Sequence, residues 1–147
     1  MIPYHLFLVP LAAGAIAQAV KLGLNGITGD FDVRHLLSEY GGMPSSHSAF
    51  VISLVTTIGL SEGLSSPMFA VALVYALITI RDAIGLRRTL ERQSTILNAL
   101  LKQNGSEKNK ELPTLPEHVG HTPTQVFAGS VLGASVSALY FLLSNGS

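Results

Sequence analysis

A chain of 147 residues has about the length of one domain, and 1–147 is read as a single unit. Hydrophobic residues make up 48% and charged residues only 12%, about half the charged share usual in a soluble domain. Nine Lys and Arg balance nine Asp and Glu, which gives no general pull toward nucleic acid, and the lack of cysteine excludes disulfides and a thiol nucleophile.

The opening residues, MIPYHLFLVPLAAGAIAQAV, lack the basic start of a signal peptide and read as an uncleaved membrane helix over roughly 4–20. After Lys21 comes a polar, mixed-charge stretch that carries Arg34 and ends in GGMPSSHSAF. Ser45 or Ser46 is placed there to cap a helix. Capping explains neither His47 nor the glycine pair, which lets backbone approach something closely. Apolar segments follow at 47–64 and 67–86. A span needs about 20 mostly apolar residues, so the first two segments are a little short. They are rich in Gly, Ala, Ser and Thr, which suit close packing between membrane helices. In LRRTLERQSTILNALLKQ, residues Leu86, Leu90, Leu97, Leu100 and Leu101 fall near helical spacing. This is an amphipathic helix, to lie on the membrane surface or to cover the loop side of the bundle. The polar NGSEKNKELPTLPEH reads as a loop, with Pro113 and Pro116 stopping any helix, and a last span covers 123–143. The expected fold class is all-α: an integral membrane helical bundle with about four spanning helices and one amphipathic surface helix.

A small soluble protein with buried helices would match the apolar content equally well, and the placement of charge decides against it. All nine Lys and Arg residues fall within 21–46 and 81–122, with none at the N-terminus, in the 61–66 turn or at the C-terminus. With four spans, those two stretches share one side of the membrane. The positive-inside rule makes that side cytoplasmic and puts both termini outside. The same topology gathers Lys21, His47, Arg81, Asp82 and His121 at one membrane face, although they are far apart in the chain. Ionisable groups at membrane depth are costly and mark function by default.

Each of the two histidines opens a helix: Ser45 or Ser46 caps one, and Thr122 with Pro123 starts the other. Helix N-termini are ready anion sites, and Lys and Arg add cationic donors, Arg in a fork that fits phosphate oxygens. The arrangement points to a phosphate. Two histidines then offer a division of labour for phosphoryl transfer, in which one attacks phosphorus and the other protonates the departing oxygen. Metal ligation fits less well, because neither histidine belongs to an HExxH-type pair and no carboxylate cluster accompanies them. A serine hydrolase using Ser45 or Ser48 with His121 would lack a recognisable oxyanion element and leave the arginines unexplained.

GGMPSSHSA, then DAIGLRR with Gln93 and LNAL after it, then GHTPTQVFAG resemble the divergent bacterial and plastid branch of the type 2 phosphatidic acid phosphatase family, which is related to the vanadium haloperoxidases. The resemblance runs in order from Lys21 to about Gly133. It implies a helical enzyme that cleaves phosphate monoesters or diphosphates with no metal or other cofactor. On this resemblance Pro44, Ser45, Ser46 and His47 match the family's Pro-Ser-Gly-His element. Ser45 would bind phosphate through hydroxyl and backbone, Ser46 through its N–H, and His47 would be the general acid. His121, followed by Pro123 and Val126, matches the nucleophile that forms a phosphohistidine, and Lys21 matches the leading lysine, with Arg34 standing in for the arginine that follows it.

Ser46 stands where the family has glycine, and two further positions depart from the pattern. Leu115 stands where the family has an arginine six residues before the nucleophile, so Arg81, Arg87 or Arg88 must supply that charge, the DAIGLRR pattern favouring Arg87 and Arg88. Gln125 stands where a carboxylate would orient the nucleophilic histidine. An amide accepts the hydrogen bond but brings no charge, and Asp82 or Glu117 is the alternative source. The function expected is hydrolysis of a lipid phosphate monoester or polyprenyl diphosphate at the cytoplasmic face, with the membrane lipid as partner, no nucleic acid, and a homo-oligomer left open. The alternative is a weak or inactive relative that binds an anionic head group or a membrane partner.

Overall fold

A computed structural model describes residues 4–27, 42–103, 114–115 and 120–144, and these contain helices and no strand. The helices are α1 (His5–Ile27), α2 (Ser46–Glu62), α3 (Pro67–Ile84), α4 (Leu86–Gln103) and α5 (Pro123–Ser144). Arg34, Glu117, Lys108 and Lys110 lie outside the described residues.

Local chemistry sets the helix ends. Ser45 caps α2, its hydroxyl oxygen accepting from the Ser48 N–H at 3.3 Å. Gly63 ends α2 at φ 83°, a conformation that side chains resist. Ser66 caps α3 and Pro67 follows at the first helical position, where its missing N–H costs nothing. α4 follows α3 with Gly85 alone between them, its N–H donating to the Arg81 carbonyl at 2.8 Å. α1 runs past the expected end at residue 20, because nothing in Lys21-Leu22-Gly23-Leu24 stops a helix. Lys21 therefore lies within the helix rather than at its end.

α2 is the central helix, packed against α5, α1 and α3. His5 meets Ser61 at one end of the bundle and Gly14 meets Phe50 further along, so α1 runs antiparallel to α2. α5 runs parallel to α2, along a seam of small residues. A Cβ on Gly129 would run into the Ser45 carbonyl oxygen, and one on Gly133 into the Ala49 carbonyl oxygen. One turn further, Ser137 Oγ sits 2.8 Å from Ser53 Oγ and 3.0 Å from Thr57 Oγ1. Small residues that let backbones touch, with hydroxyls bonded across the seam, are how helices associate in a bilayer, where apolar burial gives no advantage.

The surface matches. Leu8, Leu11, Val71, Leu77, Phe127 and Leu142 are exposed, while Ser45, Ser48, Ser53, Thr57 and Ser137 are buried, an inversion of the soluble pattern. His5–Leu24, Pro67–Gln103 and Pro123–Ser144 are long and apolar enough to cross a membrane. The segment expected as a fourth span is α2, whose 17 residues reach about 26 Å and which its neighbours cover. The chain is an all-α integral membrane protein.

The seam is testable. Gly133→Ala should lower thermal stability in detergent by about 1–3 kcal/mol, because the group it meets is backbone and cannot rotate away. Ser137→Ala should cost less, about 0.6 kcal/mol. A Gly133→Ala protein that melts with the wild type would contradict the close approach.

Candidate functional site

Because α2 and α5 run parallel and in register at the seam, their N-termini lie side by side. The Ser45 N–H donates to the Gln125 carbonyl at 3.0 Å, tying the start of one helix to the first turn of the other. His47 and His121 therefore face each other, with ring centroids 6.3 Å apart and planes tilted by 50°. The pair is asymmetric: His47 is exposed, whereas His121 is buried at 4% exposure.

Lys21 comes in from the last turns of α1 and is itself buried, at 6% exposure. Its Cε lies so close to Gly42 that a Cβ there would approach it to 2.5 Å, and Gly42 holds a φ of 106°. That explains one of the two glycines before the Pro-Ser-Ser-His element. The Met43–Pro44 peptide bond is cis.

Of the candidate arginines, Arg87 is the one drawn in. Its charge, with those of Lys21 and Asp82, acts on His47, and its charge also acts on His121. Arg87 Nε donates to Asp82 Oδ2 at 2.9 Å, across the junction of α3 and α4. Asp82 thus orients Arg87. Arg81 is exposed at the end of α3, and Arg88 is exposed with its backbone against Gly120.

His121 is held by its main chain, its N–H donating to the Ala83 carbonyl of α3 at 3.2 Å. Gly120 N–H donates to Glu91 Oε2 at 3.1 Å. Both ring nitrogens of His121 are buried and, among the described residues, find no well-formed hydrogen-bond partner. Burial lowers the His121 pKa below its ordinary 6.5; the Gln125 side chain beside it pulls the other way, and His47, Lys21 and Arg87 lower it further. The ring is therefore neutral near pH 7, with a lone pair available.

One expectation needs correction, and a second residue has a further role. Ser45 is not open to a ligand through its backbone, because that N–H is taken by Gln125 and its hydroxyl oxygen accepts from both the N–H and the O–H of Ser48. It is a fully buried cap, while half-buried Ser46 and His47 carry the amides of the first turn, which a helix leaves without internal partners. Gln125 is committed in part to α5. Its Oε1 accepts from Thr122 N–H at 2.9 Å, and its own N–H donates to Thr122 Oγ1 at 3.3 Å. This is a capping box, and the Thr-x-x-Gln spacing that signals it was present in the sequence. Asn98 and Ala83 lie within the LNAL and DAIGLRR stretches but were given no role, and Glu91 was missed; Asn98 and Glu91 bond to backbone, and Ala83 acts through its own carbonyl.

An integral-membrane helical protein with paired histidines at two helix N-termini, flanked by Lys21 and Arg87, is the class this geometry defines. The chain belongs to the divergent PAP2 family, which matches it over residues 3–136. It is 36% identical, over 149 aligned positions, to the uncharacterized membrane protein YuiD of Bacillus subtilis (strain 168), covering 90% of this chain and 92% of that one. No solved structure matches it.

The capping box predicts the outcome of changing either partner. Thr122→Ala should destabilise the protein by about 1 kcal/mol. Gln125→Glu should be at least as stable as wild type, since Glu completes the same box and a carboxylate is favoured at a helix N-terminus. A Gln125→Glu protein that melts well below wild type would refute the assignment.

Proposed function

We propose that the protein is a metal-independent membrane lipid phosphatase, which hydrolyses a lipid phosphate monoester or polyprenyl diphosphate through a phosphohistidine. The observation that carries this reading is the pairing of His47 and His121, 6.3 Å between centroids, in reach of the charges of Lys21 and Arg87. Membership of the divergent PAP2 family supports it.

The asymmetry of the pair supports a division of roles. Buried His121, neutral and with free ring nitrogens, is the nucleophile. Exposed His47, the ring more open to a departing lipid alcohol, is the general acid. In the first step a ring nitrogen of His121 bonds to phosphorus while the bond to the leaving oxygen breaks, and protonated His47 gives that oxygen its proton. In the second, water attacks the phosphohistidine and passes a proton to the now neutral His47. Phosphate leaves, and both rings return to their starting states. Lys21, Arg87 and the first-turn amides of α2 hold the phosphoryl oxygens and offset the charge that builds on them. The lipid tail stays in the bilayer. The site faces the cytoplasm, with both termini outside, as the placement of Lys and Arg implies.

A second reading, binding of an anionic head group without turnover, draws on Gln125, which brings no charge to His121. Phosphate release from lipid phosphates by the pure protein, with chelator present, separates the two. Binding of phosphate or vanadate with no release from any lipid would favour the second.

Replacing each histidine tests the roles. His121→Ala should abolish a covalent phosphoenzyme. His47→Ala should slow turnover of a lipid phosphate by about 10²- to 10⁴-fold, yet still form the phosphoenzyme from a phosphate ester with a good leaving group, which needs little protonation. Loss of the phosphoenzyme in both, with both kinds of substrate, would refute the assignment.

The pH dependence follows from the burial of His121. The nucleophile acts as the neutral ring, and its pKa is lowered. Phosphoenzyme formation by His47→Ala from a good-leaving-group ester should therefore stay level as pH falls through 6.5 and decline only at lower pH. A decline centred at or above 6.5 would contradict the lowered pKa.

A further inference from the structure

α4 packs with the wrong face inward for an ordinary amphipathic helix. Its apolar residues Leu86, Leu90, Leu97 and Leu100 are exposed, whereas Arg87, Glu91, Ser94, Asn98 and Leu101 are half-buried or buried. These five positions recur at helical spacing and form one stripe, which is mostly polar. A helix at a bilayer surface can leave its leucines in lipid and turn a polar stripe to the protein. That stripe grips the chain ahead of His121 by its backbone.

Two grips are present. Asn98, buried at 5% exposure, uses both ends of its amide on Leu115: Nδ2 donates to the carbonyl at 2.9 Å, and Oδ1 accepts the N–H at 3.0 Å. Seven residues nearer the start of α4, Glu91 Oε2 accepts the N–H of Gly120, the residue before His121. Gly120 sits directly on the helix backbone: a Cβ there would come within 2.9 Å of Arg88 Cα and 3.0 Å of Arg88 N. The same stripe carries Arg87, whose charge acts on both histidines.

We propose that Glu91 and Asn98 are positioning residues, which clamp the main chain ahead of His121 to α4 and so hold the His121 ring in register with Arg87. This rests on the reading of His121 as the nucleophile, but the clamp has a consequence that needs no turnover. Among the described residues no well-formed hydrogen bond fixes the His121 ring, and the Gln125 side chain that acts on it is itself bonded to Thr122 N–H, so the ring's position depends chiefly on its main chain and its packing. Its main chain has anchors on α3, at Ala83, and on α4. The bond to Gly120 needs an acceptor, not a charge, so glutamine at 91 should preserve it and alanine should not.

The test uses the full-length protein in detergent with Glu91→Ala, Glu91→Gln and Asn98→Leu, each checked for helix content and melting. The first readout is carbethoxylation of the His121 ring by diethyl pyrocarbonate, followed by peptide mass spectrometry, with His5 at the far end of the bundle as internal reference. Glu91→Ala and Asn98→Leu should speed modification of His121 about fivefold or more relative to His5, and Glu91→Gln should match wild type. Unchanged modification in both, or Glu91→Gln behaving as Glu91→Ala, overturns the clamp. The second readout is turnover: kcat should fall about tenfold in Glu91→Ala with inhibition by phosphate within about twofold of wild type, since the cations remain in place. Phosphate affinity and kcat falling together in a folded variant also overturns it. If wild-type protein turns over no lipid phosphate, the phosphatase reading fails while the modification rates still decide the clamp.

Discussion

The contact between the backbones of α2 and α5 is the constraint from which the rest follows. Gly129 and Gly133 lie directly on the carbonyl oxygens of Ser45 and Ala49, and Ser137 bonds to Ser53 and Thr57 one turn on. Helices this close must keep their register, since sliding by one residue would drive a side chain into a backbone oxygen. In register and parallel, they bring two N-termini to one place. That is why His47 and His121, more than seventy residues apart in the chain, meet as a pair. It also brings two positive helix ends to one spot, which favours an anion.

Around this pair the other helices each supply one thing. α1 supplies Lys21, buried where an ammonium is costly and placed against Gly42. α3 supplies the Ala83 carbonyl that holds His121 and the Asp82 carboxylate that holds Arg87. α4 supplies Arg87 and the polar stripe, with its leucines left facing outward. The buried, neutral ring and the exposed ring have different surroundings although they are the same residue type, a difference on which the proposed division of labour rests.

Helix positions were readable because apolar runs and breakers say where a membrane chain can and cannot stay helical. Pro67 and Gly85 bracket α3 close to the expected 67–86, and the amphipathic segment spans the same residues as α4. The end of α1 was misplaced because Lys21 was read as a boundary, whereas a helix near a membrane surface can carry a lysine inward when there is a pocket for it. The gathering of Lys21, His47 and His121 was legible from topology and from family resemblance. Which arginine joins them was legible only as far as the DAIGLRR pattern, which favoured Arg87 and Arg88 over Arg81; the phase of α4 sets Arg87, and not Arg88, on the inward stripe. The cap before α2 was legible as Ser45 or Ser46, and the structure picks Ser45 and buries it; the capping box of Gln125 was overlooked because that residue was first given the role of orienting His121. Asn98 stood within the LNAL stretch without its role being legible, and Glu91 left no trace, since the partners of both are backbone groups, which leave no pattern in sequence.

The central claim is that His121 takes phosphorus covalently. Exchange of oxygen between water and inorganic phosphate tests it without knowledge of the lipid. A phosphohistidine that forms from bound phosphate expels one oxygen as water and regains another on hydrolysis. Purified protein incubated with phosphate in ¹⁸O-water should accumulate labelled phosphate, read by mass spectrometry or ³¹P NMR, and His121→Asn should not. A wild-type protein that binds phosphate but exchanges no oxygen would contradict the account.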